Sequence, residues 1–363
     1  MLAALLSRDF PRSRLVTAML LLLVAAMLSA PLAVGGLPIM NVFVKIAIYA
    51  VLVASFDLLL GYTGMISFAH TMYYGIGAYG VAIALRNMGA GWDAIALGFV
   101  VAAVLCLVVA AAVGLFSMRT RTIFFAMITL AVANSFAVLV NQFYTVTGGH
   151  DGLIFQIPKM LKPAFVILPR SVLGVPVNGT VLTYYAIVVM CGLLFVLMLR
   201  LVNSPFGRVL QAIRENEFRA EALGYNVLRH RVVISCIAAV IACLAGAMNA
   251  IWLRFVGPEV TFDLQVMLDV LLVVVIGGMG TLYGAVIGAG LFVLAETYLQ
   301  GAIASAAPWV EGIPVLSVVV HPDRWIFWLG VLFVLSVYYF PEGIVGRLRQ
   351  GRANRRKLPL PPP

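Results

Sequence analysis

Gly61-Tyr62-Thr63-Gly64-Met65-Ile66-Ser67-Phe68-Ala69-His70 stands between two apolar runs, 38–60 and 65–85. A helix needs about 20 apolar residues to cross hydrocarbon, so each run suits one crossing and the Gly-x-x-Gly at Gly61 and Gly64 breaks the chain between them. A second break has the same form: Gly277-Gly278-Met279-Gly280-Thr281-Leu282-Tyr283-Gly284, with Gly277 and Gly280 spaced as Gly61 and Gly64. Outward from these, further apolar runs occupy 15–34, 94–116, 122–143, 182–201, 232–253, 264–276, 281–298 and 325–340. The runs are continuous and do not alternate every second residue, which excludes a β-barrel. The expectation is an all-α, polytopic membrane protein of about ten helical crossings, two of its elements broken by glycine.

Composition agrees. Of 363 residues, 63% are hydrophobic and 10% charged, and the mean hydropathy is +1.07. A soluble chain is nearer half apolar and a quarter charged, so soluble enzymes, disordered chains and disulfide scaffolds are excluded. The net charge of +10 could suggest a nucleic-acid binder, but Lys and Arg gather in short segments between apolar runs, without the interleaved aromatics that stack bases. Cys106, Cys191, Cys236 and Cys243 all lie inside apolar runs with no Cys-x-x-Cys pair, as packing residues do. The first run follows Arg8, Arg12 and Arg14 and resembles a signal peptide; with nine runs behind it, an uncleaved span is the better reading.

Orientation follows from Lys and Arg near span ends. Residues 1–14, 117–121, 202–231 and the tail after 341, with Arg200, hold 17 of the 24 basic residues, against six on the other side. The first group is expected to be cytoplasmic, with both termini inside. The two glycine breaks then run in the same sense, 216 residues apart, as in two halves related by an axis along the membrane normal. Broken helices at matching positions point to a transport pathway, here through Gly61, Thr63, Gly64, Ser67, His70, Gly277, Gly278 and Gly280. The competing reading is close helix packing on a Gly280, Gly284, Gly288 ridge. The run 264–276 is about 20 Å long as a helix, so the second break could lie within the membrane.

The outer segment 144–181 carries Thr147-Gly148-Gly149-His150-Asp151-Gly152-Leu153 and an Asn178-Gly179 turn signal. A soluble partner outside would dock here, unless the segment is only a connector. On the inner side, Ser204 to Tyr225 reads as a short amphipathic helix: Pro205 and Gly207 start it, Val209, Ile213, Ala220 and Leu223 give helical spacing, and Gly224 suits a C-cap. Its alternative is a solvated helix touching only headgroups. No catalytic constellation is present: there is no His-x-x-x-His, no Gly-x-Ser-x-Gly and no P-loop. His70 could bind substrate or protons, although a hydrogen-bonded packing histidine is the commoner role. Lys45, Asp57, Asp269 and Glu296 lie within two turns of span ends, where side chains can snorkel. That counts against an ion-coupled carrier, which would bury a carboxylate nearer the midplane, though a mid-membrane break at Gly61 would move Asp57 inward. Uncharged Thr129, Asn134, Ser135, Asn141 and Asn249, with Thr63 and Ser67, suit a small zwitterion's path; each could equally be an interhelical hydrogen bond.

These residues resemble the permeases of branched-chain amino-acid ABC importers, specifically the LivM-like subunit. The stretches that carry the resemblance are GYTGMISFAH (61–70), RTIFFAMITLAV (121–132), TGGHDGL (147–153), SPFGRVLQAIRENEFRAEALGYNV (204–227), GGMGTLYGAVIGAG (277–290) and FPEGIVGRLR (340–349). The resemblance implies an ABC importer permease fold in one transmembrane domain over 1–363. It implies a second permease subunit, two ATP-binding subunits below that hold the ATP, a periplasmic substrate-binding protein above, and the bacterial inner membrane. No cofactor is expected on this chain. Residues Arg214–Gly224 would be the coupling helix in the ATPase groove, with Arg214, Glu215, Glu217, Glu221, Ala222 and Gly224 its key positions. Family members often read Gly-Gln-Leu-Ser-Leu-Gly-His at the first break; Met65, Phe68 and Ala69 depart from that pattern. Related permeases import urea, short amides or aromatic acids, so a leucine-type substrate is the family default. An ion-coupled carrier and a membrane-embedded hydrolase are the readings from other classes. The basic tail 341–363 would anchor to anionic headgroups.

Overall fold

A computed structural model describes residues 14–32, 36–117, 122–172, 175–306, 321–339, 343, 345 and 346. The N-terminal segment before Arg14 and almost all of the basic tail lie outside the described residues. Ten apolar helices occupy the ten predicted runs: α1 (Arg14–Ser29), α2 (Leu37–Thr63), α3 (His70–Met88), α4 (Trp92–Ser117), α5 (Thr122–Gln142), α6 (Gly179–Asn203), α9 (Val227–Leu253), α10 (Leu264–Gly277), α11 (Leu282–Ala306) and α12 (Trp325–Tyr339). Two further helices, α7 (Pro205–Glu215) and α8 (Glu217–Ala222), lie between α6 and α9. Among the described residues, seven helical stretches are long and apolar enough to cross a bilayer: α2, α4, α6, α9, most of α5 and α11, and Pro258–Gly277 around α10. The protein is thus an all-α, multi-pass membrane protein.

Burial sorts the helices. α2 and α9 are wrapped on most sides, whereas α4 and α5 turn Val100, Val104, Val108, Ile123, Phe124 and Met127 outward. An apolar belt of that extent belongs against lipid or another subunit. Small residues let the central helices touch: a Cβ on Gly77 of α3 would collide with the Cys243 carbonyl of α9, and one on Gly246 of α9 with the Tyr74 carbonyl of α3. Tyr73, Tyr74, Phe56 and Tyr184 fill the remaining core.

Two predicted features change. The run 65–85 does not begin as helix: α2 ends at Thr63, Gly64 takes the left-handed conformation (φ 74°), and helix resumes only at His70. The segment around 144–181 is not all helix or coil either. It holds β1 (Leu153–Ile154), β2 (Val166–Val172) and β3 (Val175–Asn178). β2 pairs antiparallel with β3, and β1 pairs with β4 (Phe255–Val256) just beyond α9. The Thr147–Leu153 stretch forms the turn that makes this pairing possible: Gly148 N–H donates to Tyr144 O at 2.9 Å, and Phe155 N–H reaches Arg254 O at 3.3 Å. The segment is therefore stitched to the end of α9 opposite the end that meets α8.

Candidate gate and coupling junction

The two glycine breaks, far apart in sequence, meet. Gly61 and Asp57 are one helical turn apart on α2, so they share a face. Onto that face comes Gly280, whose N–H donates to Asp57 Oδ1 at 2.9 Å. A Cβ on Gly61 would collide with both the Asp57 carboxylate and the Gly280 nitrogen, so only glycine admits the contact. Gly280 itself has φ +80°, which an L side chain rarely adopts. A Cβ there would stand 3.0 Å from the Gly61 carbonyl oxygen and 3.0 Å from Arg214 Nη1. Arg214, near the end of α7, donates from Nη1 to Gly61 O. One guanidinium from the segment after α6 thus closes on the point where both breaks join.

Asp57 is corrected by this geometry. Its position near a span end suggested snorkelling, yet it is 1% exposed, and its Oδ2 has no hydrogen-bond partner among the described residues. The i, i+4 spacing of Asp57 and Gly61 was the signal available in the sequence. The proposed glycine ridge also divides. Gly280 lies in the turn before α11 and packs on α2, whereas Gly284 and Gly288 face α10 at Gly277 and Val273. A Cβ on Gly288 would lie 2.6 Å from Val273 O. Gly278 caps α10 through its N–H to Val274 O at 2.9 Å, and a Cβ on Gly343 would collide with it.

Several of the polar residues expected along a path make hydrogen bonds within the protein. Thr63 Oγ1 donates back to Leu59 O at 2.6 Å within α2. Thr129 Oγ1 accepts the Phe68 N–H at 3.0 Å and donates to Ala126 O at 2.8 Å, pinning the unwound 64–69 segment to α5. His70 is buried, its Nε2 2.8 Å from Ser55 Oγ. Because that hydroxyl donates to Leu52 O at 2.8 Å, Nε2 carries the proton toward Ser55, while Nδ1 is buried without a hydrogen-bond partner among the described residues. His70 also packs against Phe56, 5.4 Å between ring centres. Ser67 is buried beside the break, Asn134 faces outward, and Asn141 Oδ1 is buried without a partner among the described residues.

The coupling segment is not one helix. Asn216 is extended (φ −160°, ψ 103°), and its side chain accepts the Arg219 N–H at 2.9 Å to start α8. Three caps in series build the region, Ser204 for α7, Asn216 for α8 and Asn226 for α9. Gly224 ends α8 as foreseen. Its N–H reaches Glu221 O at 2.8 Å and the Tyr225 N–H reaches Ala220 O at 3.2 Å, a Schellman ending at φ +88°. Val209, Ile213, Ala220 and Val227 close a small apolar cluster beneath the segment. Leu223, expected on that face, is 71% exposed instead, and Phe218 is 86% exposed. Glu217 grips Arg231 through two bonds of 2.8 and 2.9 Å, tying α8 to α9. Glu215, Glu221 and Ala222 face outward with Phe218 and Leu223. The outward surface is thus an apolar pair set among Glu215, Arg219 and Glu221, a feature the residue-by-residue sequence reading missed at Phe218.

Residues 38–322 match the family described as "Branched-chain amino acid transport system / permease component". The high-affinity branched-chain amino acid transport permease LivM of Salmonella typhimurium is 27% identical over 290 residues, covering 76% of this chain and 67% of that protein. A probable LivM of Methanocaldococcus jannaschii is 25% identical, covering 76% and 78%. The high-affinity branched-chain amino acid transport permease LivH of Escherichia coli is 25% identical over 304 residues, covering 82% and 91%. No solved structure matches. With most of its length matched, bearing the joined glycine breaks in the order described, this chain belongs to the branched-chain amino acid transport permease family.

Proposed function

We propose that this chain is a transmembrane permease subunit of an ATP-driven, binding-protein-dependent importer, pairing with a second permease to form the path for branched-chain amino acids. The observation that carries the reading is the Arg214 contact with Gly61 O at the meeting of the two breaks. It links the surface bearing Phe218, Glu221 and Leu223 to the place where the helical path is interrupted. One of the two ATP-binding subunits docks on that surface, which faces the cytoplasm as the basic residues of 202–231 require, and both termini share that side. The periplasmic binding protein docks on the opposite end, over the β1–β4 and β2–β3 pairs. The chain cannot hold ATP by a P-loop, and the reading assigns movement at α7–α8 to the partners' ATP cycle. The location is the bacterial inner membrane, and 1–363 forms one permease domain.

The reading is tested by isolating the chain from its membrane with associated proteins and assaying the accompanying binding protein against leucine, isoleucine, valine, urea, short amides and aromatic acids. Recovery of two ATPase chains, a second permease and an aliphatic amino-acid binder is the expected result. Recovery with a urea, amide or aromatic-acid binder keeps the importer and replaces its substrate. A chain that comes alone and accumulates substrate when driven by an ion gradient is a carrier, and the importer reading falls.

A further inference from the structure

Far from the break, α2 presents a second polar stripe, Asn41, Lys45 and Tyr49, spaced by four. The end of α9, α10 and α11 face it, and together they enclose a cavity of ≈ 400 Å³ lined by Lys45, Tyr49, Tyr74, Asn249, Asp269 and Glu296. Lys45 is twelve residues before Asp57, so the cavity lies about 18 Å along α2 from the junction. It sits at the end stitched to the 144–178 segment.

Three ionisable groups here are more than a structural pair requires. Lys45 Nζ holds both Glu296 oxygens, at 2.7 and 2.8 Å, which leaves one of its three N–H donors unused by that pair. Their side chains remain 39% and 30% exposed, so the pair is open to the cavity. Among the described residues, Asp269 has a single hydrogen bond, from Gln265 Nε2 at 3.4 Å, and no ion pair. The cavity therefore carries one carboxylate beyond the charge of its lysine. Charged groups in a span cost about 2.5–3.5 kcal/mol each at mid-helix, which makes an uncompensated carboxylate a candidate for ligand contact. Leu253, Val260 and Val266 add an apolar wall to the same cavity.

We infer that this cavity is a transit site for a free α-amino acid. Its ammonium is held by Asp269, its carboxylate by the spare N–H of Lys45, and an aliphatic side chain lies on Leu253, Val260 and Val266. Glu296 positions Lys45 rather than binding the solute. The inference rests on the importer reading and adds to it a place where this chain itself touches the substrate on the outer side of the junction.

The test uses the chain assembled with its partner subunits. Binding of radiolabelled L-leucine is measured without binding protein, and ATP-driven leucine uptake is measured with it in proteoliposomes. Asp269→Asn removes a carboxylate that makes no ion pair among the described residues and keeps an oxygen for the Gln265 amide, so a merely structural role leaves both readouts unchanged. The inference expects at least a ten-fold loss of leucine binding and of uptake, with basal ATP hydrolysis retained and Asp269→Glu near the parent. Leucinamide and isocaproate, each lacking one of the two charges, should compete at least ten-fold less well than leucine. The exchanged pair Lys45→Glu/Glu296→Lys restores the ion pair but not the donor's place. Uptake rescued by that exchange, or unchanged in Asp269→Asn, overturns the inference while leaving the importer intact. A parent assembly that hydrolyses ATP but accumulates no amino acid overturns the importer reading itself.

Discussion

Removing the Arg214 side chain should separate ATP hydrolysis from transport. Its guanidinium donates to Gly61 O across the join of the two breaks. A hydrogen bond with a charged donor contributes about 1.5–3 kcal/mol, and each 1.4 kcal/mol is a factor of about ten in an equilibrium. Arg214 is exposed to solvent, which screens the bond toward the low end of that range, so Arg214→Leu should weaken the hold of α7 on the junction by about ten-fold. The fold survives, because Gly280 N–H still reaches Asp57 Oδ1 at 2.9 Å and the cluster of Ile213, Ala220 and Val227 is untouched. In proteoliposomes holding the assembled importer, the assay is leucine delivered per ATP hydrolysed. Hydrolysis should stay within the parent's range while uptake falls at least ten-fold. Arg214→Lys, which offers a point charge in place of a fork, should fall between. An unchanged ratio in Arg214→Leu would refute the idea that this contact transmits anything.

Other expectations follow from the same geometry. Gly224→Pro cannot adopt φ +88° and loses the N–H that reaches Glu221 O; with Glu221→Lys, it should uncouple hydrolysis from uptake while membrane insertion is intact, and normal uptake in both would remove the coupling role of α8. Gly284→Leu drives a side chain into the Gly277 carbonyl, 2.6 Å from its Cβ; a loss of about 1–3 kcal/mol from overpacking should appear as a lower melting temperature of the solubilised protein, and a fully stable variant would contradict the close approach of α10 and α11. The Glu217–Arg231 pair is partly exposed, at 44% and 19%, so a double-mutant cycle should return no more than about 1 kcal/mol; several times that value would mean α8 depends on it. Cysteines placed at Glu221 and Lys159 should react with an impermeant reagent from opposite faces of the membrane, and labelling from one face would reverse the orientation assigned here.

Periodic, one-dimensional signals were legible in the sequence. Ten runs of apolar residues gave ten helices because a helix needs only a continuous apolar stretch of the right length. Gly224 was legible as a helix end because a left-handed ending is a local property of three or four residues. The division at Asn216 was also local, since asparagine caps helices well, but the Ala and Glu around it read as unbroken helix. What was not legible is pairing between distant segments. Nothing in the chain order says that Gly280 closes on Gly61, or that Lys45, Asp269 and Glu296 share one cavity, because each is one member of a pair whose other half lies more than two hundred residues away. Asp57 shows the cost of judging a charge by its distance from a span end: helix ends here lie against other helices, and burial follows packing. Thr129 shows the reverse, a residue placed on the path whose hydroxyl is used to hold the unwound segment.

The most direct test of the central claim is reconstitution. The account predicts that this chain alone in proteoliposomes neither accumulates leucine nor hydrolyses ATP, and that uphill uptake appears only when the second permease, both ATPase chains, the binding protein and ATP are all present. Uphill leucine uptake by the isolated chain, driven by an ion gradient, would contradict it.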